Sequence, residues 1–225
     1  MSALSLVIFD VDGTLVDSQA HILSALRAMF DAGGRPMPAR KTLLACVGLS
    51  LPQFIRRLEP DLSAAEVEAW ADVYRTTYAE ERQNDVPPPL YDGALAALDR
   101  LARFDHVLLG VATGKSRRGV DHVLGGHGLI ERFQTLQTAD GHPSKPHPSM
   151  VEAALSETGL SPERAVIVGD TTFDIEMGKA AGIATIGVSW GYHERHALDG
   201  AGAGKVLDAY GELDGALADL GLVPR

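Results

Sequence analysis

The sequence predicts an α/β fold: a doubly wound, Rossmann-like parallel sheet core with an inserted all-helical cap domain. The first observation is that short runs rich in Val, Ile and Leu alternate with helical patterns along most of the 225 residues. Near-continuous apolar runs are typical of parallel strands covered on both faces, and their alternation with helices is typical of a doubly wound core. The second observation is one long region, residues 18–82, in which only helical periodicity is found.

Four apolar runs predict the strands. Each run ends in a polar residue, and the runs span residues 4–10, 106–113, 164–170 and 183–189. Helical patterns lie between or after these runs, at residues 92–104, 149–159 and 174–182. With 45% hydrophobic residues, a chain of this length buries a substantial core as one domain or as a domain with an insertion.

The helical region predicts such an insertion. It follows the first strand directly, and it is followed by the segment QNDVPPPLYDG at residues 83–93, with three consecutive prolines. Proline has no backbone N–H and favours an extended chain, so this segment is predicted to be a linker. We expect an α/β catalytic core of residues 1–17 and 86–225 and a helical cap of residues 18–85, joined by two connections that permit hinge motion.

Charge and cysteine content exclude several classes of partner and site. The formal net charge is −10, so nucleic-acid backbones and anionic membrane surfaces would repel the chain. Cys46 is the single cysteine, which excludes an intrachain disulfide and a cysteine-based zinc site. No apolar stretch reaches the ~20 residues that span a bilayer, and the N-terminal pattern is not that of a signal peptide. We expect a cytoplasmic monomer or homodimer whose partner is a small molecule.

Polar side chains stand where the predicted strands end. Ligands of open parallel sheets bind outside the carboxyl ends of the strands, so five of these residues are predicted to converge: Asp10, Asp12, Thr113, Asp170 and Asp174. Clustered carboxylates repel one another unless a cation lies among them, and an all-oxygen ligand set favours Mg²⁺. With Lys145 from a nearby loop, these groups suit a phosphoryl group that is attacked by an aspartate.

The tripeptide Gly-Lys-Ser at residues 114–116 raises the alternative of a nucleotide-binding P-loop. That pattern requires a glycine, four free residues and then Gly-Lys-Ser/Thr. Only three residues separate Gly110 from Gly114, and Leu109 stands where the first glycine should be. We therefore interpret this segment as a strand end followed by the N-terminus of a helix, a position that favours an anion.

Four segments in order carry a family resemblance. DVDGTLVDS, VATGKS, SKPHPS and VIVGDTTFDIEMGKAAG resemble the four motifs of the haloacid dehalogenase-like (HAD) superfamily, in the subgroup with a helical cap after the first motif. The resemblance extends from about Leu6 to Ser189, and the overall pattern is similar to that of phosphoglycolate phosphatases. It implies a Mg²⁺-dependent hydrolase of small phosphorylated metabolites.

The resemblance also implies a role for each motif residue. Asp10 would attack phosphorus and form an aspartyl-phosphate, and Asp12 would protonate the leaving alcohol and later activate water. Asp170 would bind Mg²⁺ together with the Asp10 carboxylate and the Asp12 backbone carbonyl, and Asp174 would be a further ligand or a partner of the ligands. The phosphoryl oxygens would be held by Thr113, the Gly114 N–H and Lys145. Lys115 would have only an assisting role.

Two alternative functions are weighed against this interpretation. Sugar phosphomutases with this cap type carry a histidine and a basic cap loop that grips a second phosphate, whereas this chain has Ile22, Val47 and Leu51 at those positions, which favours a phosphatase. A non-enzymatic receiver-like phosphoacceptor module uses similar groups on a shorter chain. Substrate choice depends on the cap. Its loop residues Gly48 and Ser50 and the pair Arg56 and Arg57 are candidates to face the site.

Overall fold

The centre of the protein is a parallel sheet. The computed structural model describes residues 3–84 and 87–224, and within these residues six strands pair in one sheet. The strands are β1 (Ser5–Phe9), β2 (Val107–Thr113), β3 (Thr135–Thr138), β4 (Ala165–Gly169), β5 (Ala184–Val188) and β6 (Lys205–Leu207). Their order is β3-β2-β1-β4-β5-β6 and every pairing is parallel. From β1 the chain adds β2 and β3 on one side and then β4, β5 and β6 on the other, so the direction of strand addition reverses between β1 and β4. Ligands of doubly wound sheets bind in the crevice at such a point.

Helices cover both faces of this sheet. They are α5 (Ala94–Leu101), α6 (Arg117–Gly126), α7 (Ser149–Thr158), α8 (Thr172–Ala180), α9 (Arg195–Ala201) and α10 (Leu213–Asp219), numbered after four helices that belong to the cap. Along β1, Leu6 and Ile8 share one apolar cluster with Met150 of α7, whereas Val7 and Phe9 belong to another. Alternate residues thus face opposite layers of helices, which is why the strand is apolar throughout.

The cap is a helical unit with its own apolar core. Residues 18–82 form α1 (Gln19–Ala32), α2 (Arg40–Leu44), α3 (Leu51–Leu58) and most of α4 (Ala64–Asn84), and this region contains no strand. In its core, the Phe30 and Trp70 rings meet edge to face with centroids 5.2 Å apart. The predicted fold class, an α/β core with an inserted helical cap, is therefore confirmed. The predicted domain boundary between residues 85 and 86 lies outside the described residues and stays a prediction.

Two of the six strands were missed by the sequence analysis. Strand β3 has four residues and reads Thr-Leu-Gln-Thr, and β6 has three residues. Both lie at the edges of the sheet, and so short and partly polar a segment has no periodicity that distinguishes it from a loop. Among the described residues, no helix is both long and apolar enough to cross a membrane.

Candidate active site

Three buried carboxylates meet at the carboxyl ends of adjacent strands. Asp10 follows β1 and Asp170 follows β4, while Asp174 lies in the first turn of α8. One oxygen from each carboxylate lies within 4.8 Å of those of the other two, and the residues are at most 1% exposed. The parallel pairing of β1 with β4 brings the two strand ends together, and the Asp10 N–H donates to the Val168 carbonyl at 3.0 Å. Three of the residues predicted to converge therefore do so.

Glycine makes this close approach possible. Gly13 has φ +81°, and a Cβ on it would lie 2.2 Å from Oδ2 of Asp170. Any other residue would therefore clash with the carboxylate and strain the backbone. The Asp170 carboxylate is held by Thr14, whose hydroxyl donates to Oδ1 at 2.9 Å, and by the Tyr192 N–H, which donates to Oδ2 at 2.8 Å.

Lys145 is the cation of this cluster. Its Nζ lies 3.0 Å from Asp10 Oδ1 and 2.6 Å from Asp174 Oδ1, and its side chain is fully buried. Burial lowers the pKa of Lys145, but the carboxylates of Asp10 and Asp174 outweigh it and raise the pKa above its ordinary value. The ammonium therefore keeps its charge within the site.

Asp174 connects Lys145 to the helix that follows β4. Its Oδ2 accepts hydrogen bonds from the Thr171 N–H at 3.0 Å and the Thr171 hydroxyl at 2.7 Å. These bonds are part of a capping box at the start of α8. Because its Oδ1 accepts from Lys145, both oxygens of Asp174 are engaged, and this geometry is that of a residue that orients the lysine.

Negative charge exceeds positive charge in the cluster. Burial raises the pKa of the Asp10 carboxyl to about 6; Lys145 opposes this shift, whereas Asp174 and Asp12 add to it. Burial, with Asp10 and Asp174, also holds the pKa of Asp170 well above its ordinary range. Asp10 Oδ2 is buried with no hydrogen-bond partner among the described residues. An orphaned carboxylate oxygen beside two further carboxylates fits a hard divalent cation, so this cluster is a candidate metal site.

Asp12 lies near this cluster, but its carboxylate is held by other groups. The Ser18 hydroxyl donates to Oδ1, and Lys115 Nζ lies 2.9 Å from Oδ2. Lys115 is almost fully buried and also donates to the Tyr78 hydroxyl at 3.2 Å. The sequence analysis missed this use of Lys115, Ser18 and Tyr78, because the pairing joins three separate segments and no local pattern encodes it.

Thr113 and Gly114 stand where the cap approaches the core. Thr113 ends β2 and is 1% exposed, and both residues line the cavity that also contains Asp10 and Asp12. A Cβ on Gly114 would lie 2.5 Å from the carbonyl oxygen of Gly48 and 2.8 Å from that of Leu49. A glycine is thus required at the point where the cap loop meets the core.

The cavity beside Asp10 and Asp12 is lined by residues of both the core and the cap. Its volume is about 330 Å³, and cap residues on its walls include Gly48, Ser50, Tyr74 and Tyr78. The two tyrosine rings stack with centroids 5.8 Å apart and an interplanar angle of 18°. Arg56 and Arg57 are absent from the described lining residues, and the Arg57 guanidinium instead lies 5.7 Å from the Phe173 ring centroid. Of the suggested specificity residues, only the two loop residues therefore reach the cavity.

The family of this chain follows from comparison with known proteins. A family model described as haloacid dehalogenase-like hydrolase matches residues 7–188, a range that includes Asp10, Asp12, Thr113, Gly114, Lys145, Asp170 and Asp174. The chain belongs to the haloacid dehalogenase-like hydrolase family. The family resemblance that was drawn from the four motifs is therefore confirmed.

Several relatives of this chain carry phosphatase names. The chain is 35% identical over 214 residues to probable phosphatase IndB of Dickeya dadantii, covering 94% of this chain and 92% of that protein. It is 29% identical over 210 residues to phosphoglycolate phosphatase of Pseudomonas syringae pv. tomato, covering 90% and 76%. The crystal structure of a hydrolase from Pseudomonas syringae has the same fold, with a TM-score of 0.85, 22% identity and 96% and 98% coverage. The expectation of a phosphatase-type enzyme of this family is therefore confirmed.

Proposed function

We propose that this protein is a Mg²⁺-dependent phosphomonoesterase that hydrolyses a small phosphorylated metabolite through an aspartyl-phosphate on Asp10. The observation that carries this proposal is the placement of the buried Asp10 carboxylate on the wall of the cavity, with Lys145 Nζ 3.0 Å from its Oδ1. A carboxylate nucleophile needs its charge, and the phosphoryl group's charge, to be screened before the two can approach. In this proposal, Lys145 and a bound Mg²⁺ ion provide that screening.

In the first step, an oxygen of Asp10 attacks phosphorus. The bond between phosphorus and the ester oxygen breaks, its electron pair stays on the leaving oxygen, and the protonated Asp12 carboxyl gives that oxygen its proton. Asp12 is on the same cavity as Asp10, and its carboxylate lies outside the buried three-carboxylate cluster. The two aspartates therefore serve different roles although only one residue separates them.

In the second step, the aspartyl-phosphate is hydrolysed. The Asp12 carboxylate takes a proton from a water molecule, the water oxygen forms a bond to phosphorus, and the bond from phosphorus to Asp10 breaks. Free phosphate leaves, and both aspartates regain their starting protonation. During both steps the phosphoryl oxygens are held by the Thr113 hydroxyl, the Gly114 N–H and the Lys145 ammonium, which is buried beside the nucleophile.

The metal in this proposal is Mg²⁺. The ion would be held by Asp10, Asp170 and the backbone carbonyl of Asp12. Asp174 would be either a further ligand or a residue that orients Lys145, and its bonds to Lys145 and Thr171 favour the second role. When bound, the ion neutralises negative charge on the carboxylates and on the phosphoryl oxygens. The oxygen-only donor set is the support for Mg²⁺ over softer metals.

The cavity favours hydrolysis over transfer to a second phosphate. Ile22, Val47 and Leu51, which replace the basic and histidine positions of the related mutases, all line it. Apolar side chains at these three positions give a second phosphate no partner there, which supports water as the acceptor in this proposal. Arg75, Lys115 and Arg118 also line the cavity; Arg75 pairs with Glu68 and Asp72, and Lys115 pairs with Asp12. Phosphoglycolate is one candidate substrate, and the cavity of about 330 Å³ also admits larger leaving groups. We further propose that the protein acts in the cytoplasm as a monomer or homodimer.

The proposal is tested by turnover. Purified protein is incubated with para-nitrophenyl phosphate in Mg²⁺, and then with phosphoglycolate, nucleoside monophosphates, sugar phosphates and pyrophosphate ranked by kcat/KM. Asp10→Asn should reduce turnover by more than about a thousandfold with the fold intact, because it removes the nucleophile. A long-lived phosphoprotein after treatment with a small acyl phosphate, without release of phosphate, would instead favour a receiver-like module.

A further inference from the structure

Lys115 joins the core and the cap at the carboxylate of Asp12. Its Nζ lies 2.9 Å from Asp12 Oδ2, 3.2 Å from the Tyr78 hydroxyl and 4.9 Å from the centroid of the Tyr78 ring. Its side chain is only 8% exposed. A buried ammonium is costly unless it is paired, and these two residues are its partners, one from each domain of the protein.

The Asp12 carboxylate is thereby held from two sides. Ser18, at the start of cap helix α1, donates its hydroxyl to Oδ1, while Lys115 pairs with Oδ2. A carboxylate whose two oxygens both accept hydrogen bonds has a fixed direction, whereas an unpaired one would rotate about its side-chain bonds. In the acid form that the proposed mechanism uses, Oδ1 would carry the proton, because the Ser18 hydroxyl can rotate, while Oδ2 still accepts from Lys115. Asp12 and Lys115 both line the cavity, so the fixed carboxylate stands at its wall.

We infer that Lys115 is a positioning residue that holds Asp12 for proton transfer, and that Tyr78 of the cap holds Lys115 in turn. This inference rests on the proposed function, in which Asp12 gives its proton to the leaving oxygen as the bond from phosphorus to that oxygen breaks. The cap helix α4 then contributes to proton transfer through Tyr78, in addition to lining the cavity. Proton transfer depends on placement within hydrogen-bond reach, so a freely rotating Asp12 is a poor acid.

The inference predicts a dependence on the leaving group that a structural role does not produce. Phenolate is a poor leaving group and needs the proton, whereas 2,4-dinitrophenolate is stable as an anion and leaves without it. Both esters present the same phosphoryl group to Asp10, and because each variant is compared with the wild type on the same ester, the difference in size between the two leaving groups does not affect the comparison. Disturbing Asp12 should therefore slow the first ester and spare the second.

The experiment measures kcat/KM for phenyl phosphate and 2,4-dinitrophenyl phosphate in the wild type and in Lys115→Met. We expect kcat/KM for phenyl phosphate to fall by at least about 30-fold, and that for the dinitrophenyl ester to change by less than about 3-fold, in line with the usual contribution of an acid catalyst. Tyr78→Phe, which removes one hydroxyl, should show the same pattern at about 3- to 10-fold. Lys205→Met, an exposed lysine paired with Asp219, is the matched control and should change neither value.

A double-variant comparison separates positioning from direct substrate binding. Asp12→Asn should reproduce the pattern, and adding Lys115→Met to Asp12→Asn should cost no further activity on phenyl phosphate, because the two residues act as one unit. Equal losses on both esters, a rise in KM alone, or a further loss in the Asp12→Asn background would overturn the inference. A wild-type protein that hydrolyses neither ester nor any screened phosphomonoester would overturn the proposed function itself.

Discussion

Lys145 Nζ lies 2.6 Å from Oδ1 of Asp174, and the other oxygen of Asp174 caps helix α8 through Thr171. The start of the helix and the position of the buried lysine are therefore fixed by one carboxylate. Since the same lysine lies 3.0 Å from Asp10, the capping box orients the cation that faces the candidate nucleophile. Asp174 thus both caps helix α8 and orients the buried lysine of the candidate site.

Asp174→Asn tests this link. An amide carries no charge for Lys145 and cannot accept hydrogen bonds on both of its ends, so the lysine loses a partner and α8 loses part of its cap. We expect kcat/KM to fall by about 10- to 100-fold, the usual cost of removing a group that orients a ligand or a catalytic residue. Steady-state kinetics checks the expectation, and Glu176→Gln, an exposed change on the same helix, is the control. Unchanged kcat/KM in Asp174→Asn would contradict the assigned role.

The raised pKa of Asp10 predicts how stability depends on pH without metal. Its carboxyl has a pKa of about 6 in the folded protein against an ordinary 3.8. The folded state therefore binds this proton more tightly than the unfolded state does. Stability from this group is fully present below the unfolded pKa and is lost as pH rises through about 6. A shift of this size corresponds to roughly 3 kcal/mol.

Asp10→Asn removes this pH-dependent loss. In EDTA, the variant should gain stability relative to the wild type between about pH 4 and 7, by up to roughly 3 kcal/mol, and the gain should level off above that range. Urea denaturation across pH 4.5 to 8 measures the difference in free energy of unfolding. A difference that stays constant with pH would show that Asp10 does not titrate in this range. Saturating Mg²⁺ should reverse the order, because the wild type keeps the ligand charge.

Gly13→Ala tests the close approach to Asp170. A Cβ at residue 13 would lie 2.2 Å from Asp170 Oδ2 at φ +81°, whereas Gly34 has φ +64° and open space around it. Gly34→Ala should cost only the backbone strain of about 1 kcal/mol, and Gly13→Ala should cost about 2 kcal/mol more because the carboxylate must move. Free energies of unfolding measure both changes. Equal costs would mean that the carboxylate yields without penalty.

Metal removal should abolish turnover and lower thermal stability. The carboxylates of Asp10 and Asp170 repel one another when no cation lies between them. Mg²⁺ at 100 times its Kd should stabilise the wild type by about 2.7 kcal/mol, which raises Tm. Asp170→Asn should lose most of this increase, while the exposed Asp61→Asn should keep it. Undiminished turnover in EDTA would contradict the metal assignment.

Much of the fold, and the identity of the strand-end residues of the candidate site, were predictable from the sequence. The four long apolar runs became β1, β2, β4 and β5, because strands buried on both faces must be apolar along their whole length. The edge strands β3 and β6 were missed, since their few residues carry no such signal. Tyr78 is buried in the apolar core of the cap, Tyr74 packs against that core, and both also line the cavity, a double use that helical spacing does not reveal.

The sequence by itself determined which residues stand at the ends of the strands: Asp10, Thr113 and Asp170. Parallel pairing carries such ends to one edge of the sheet, so their convergence follows from periodicity and strand order. Only the tertiary structure decided which lysine pairs with which carboxylate. Lys145 lies beside Asp10 and Asp174, whereas Lys115 pairs with Asp12 and Tyr78. These pairings join segments far apart in the chain: those of Lys145 form within the core, whereas the Lys115 contact with Tyr78 forms only where the cap packs against the core.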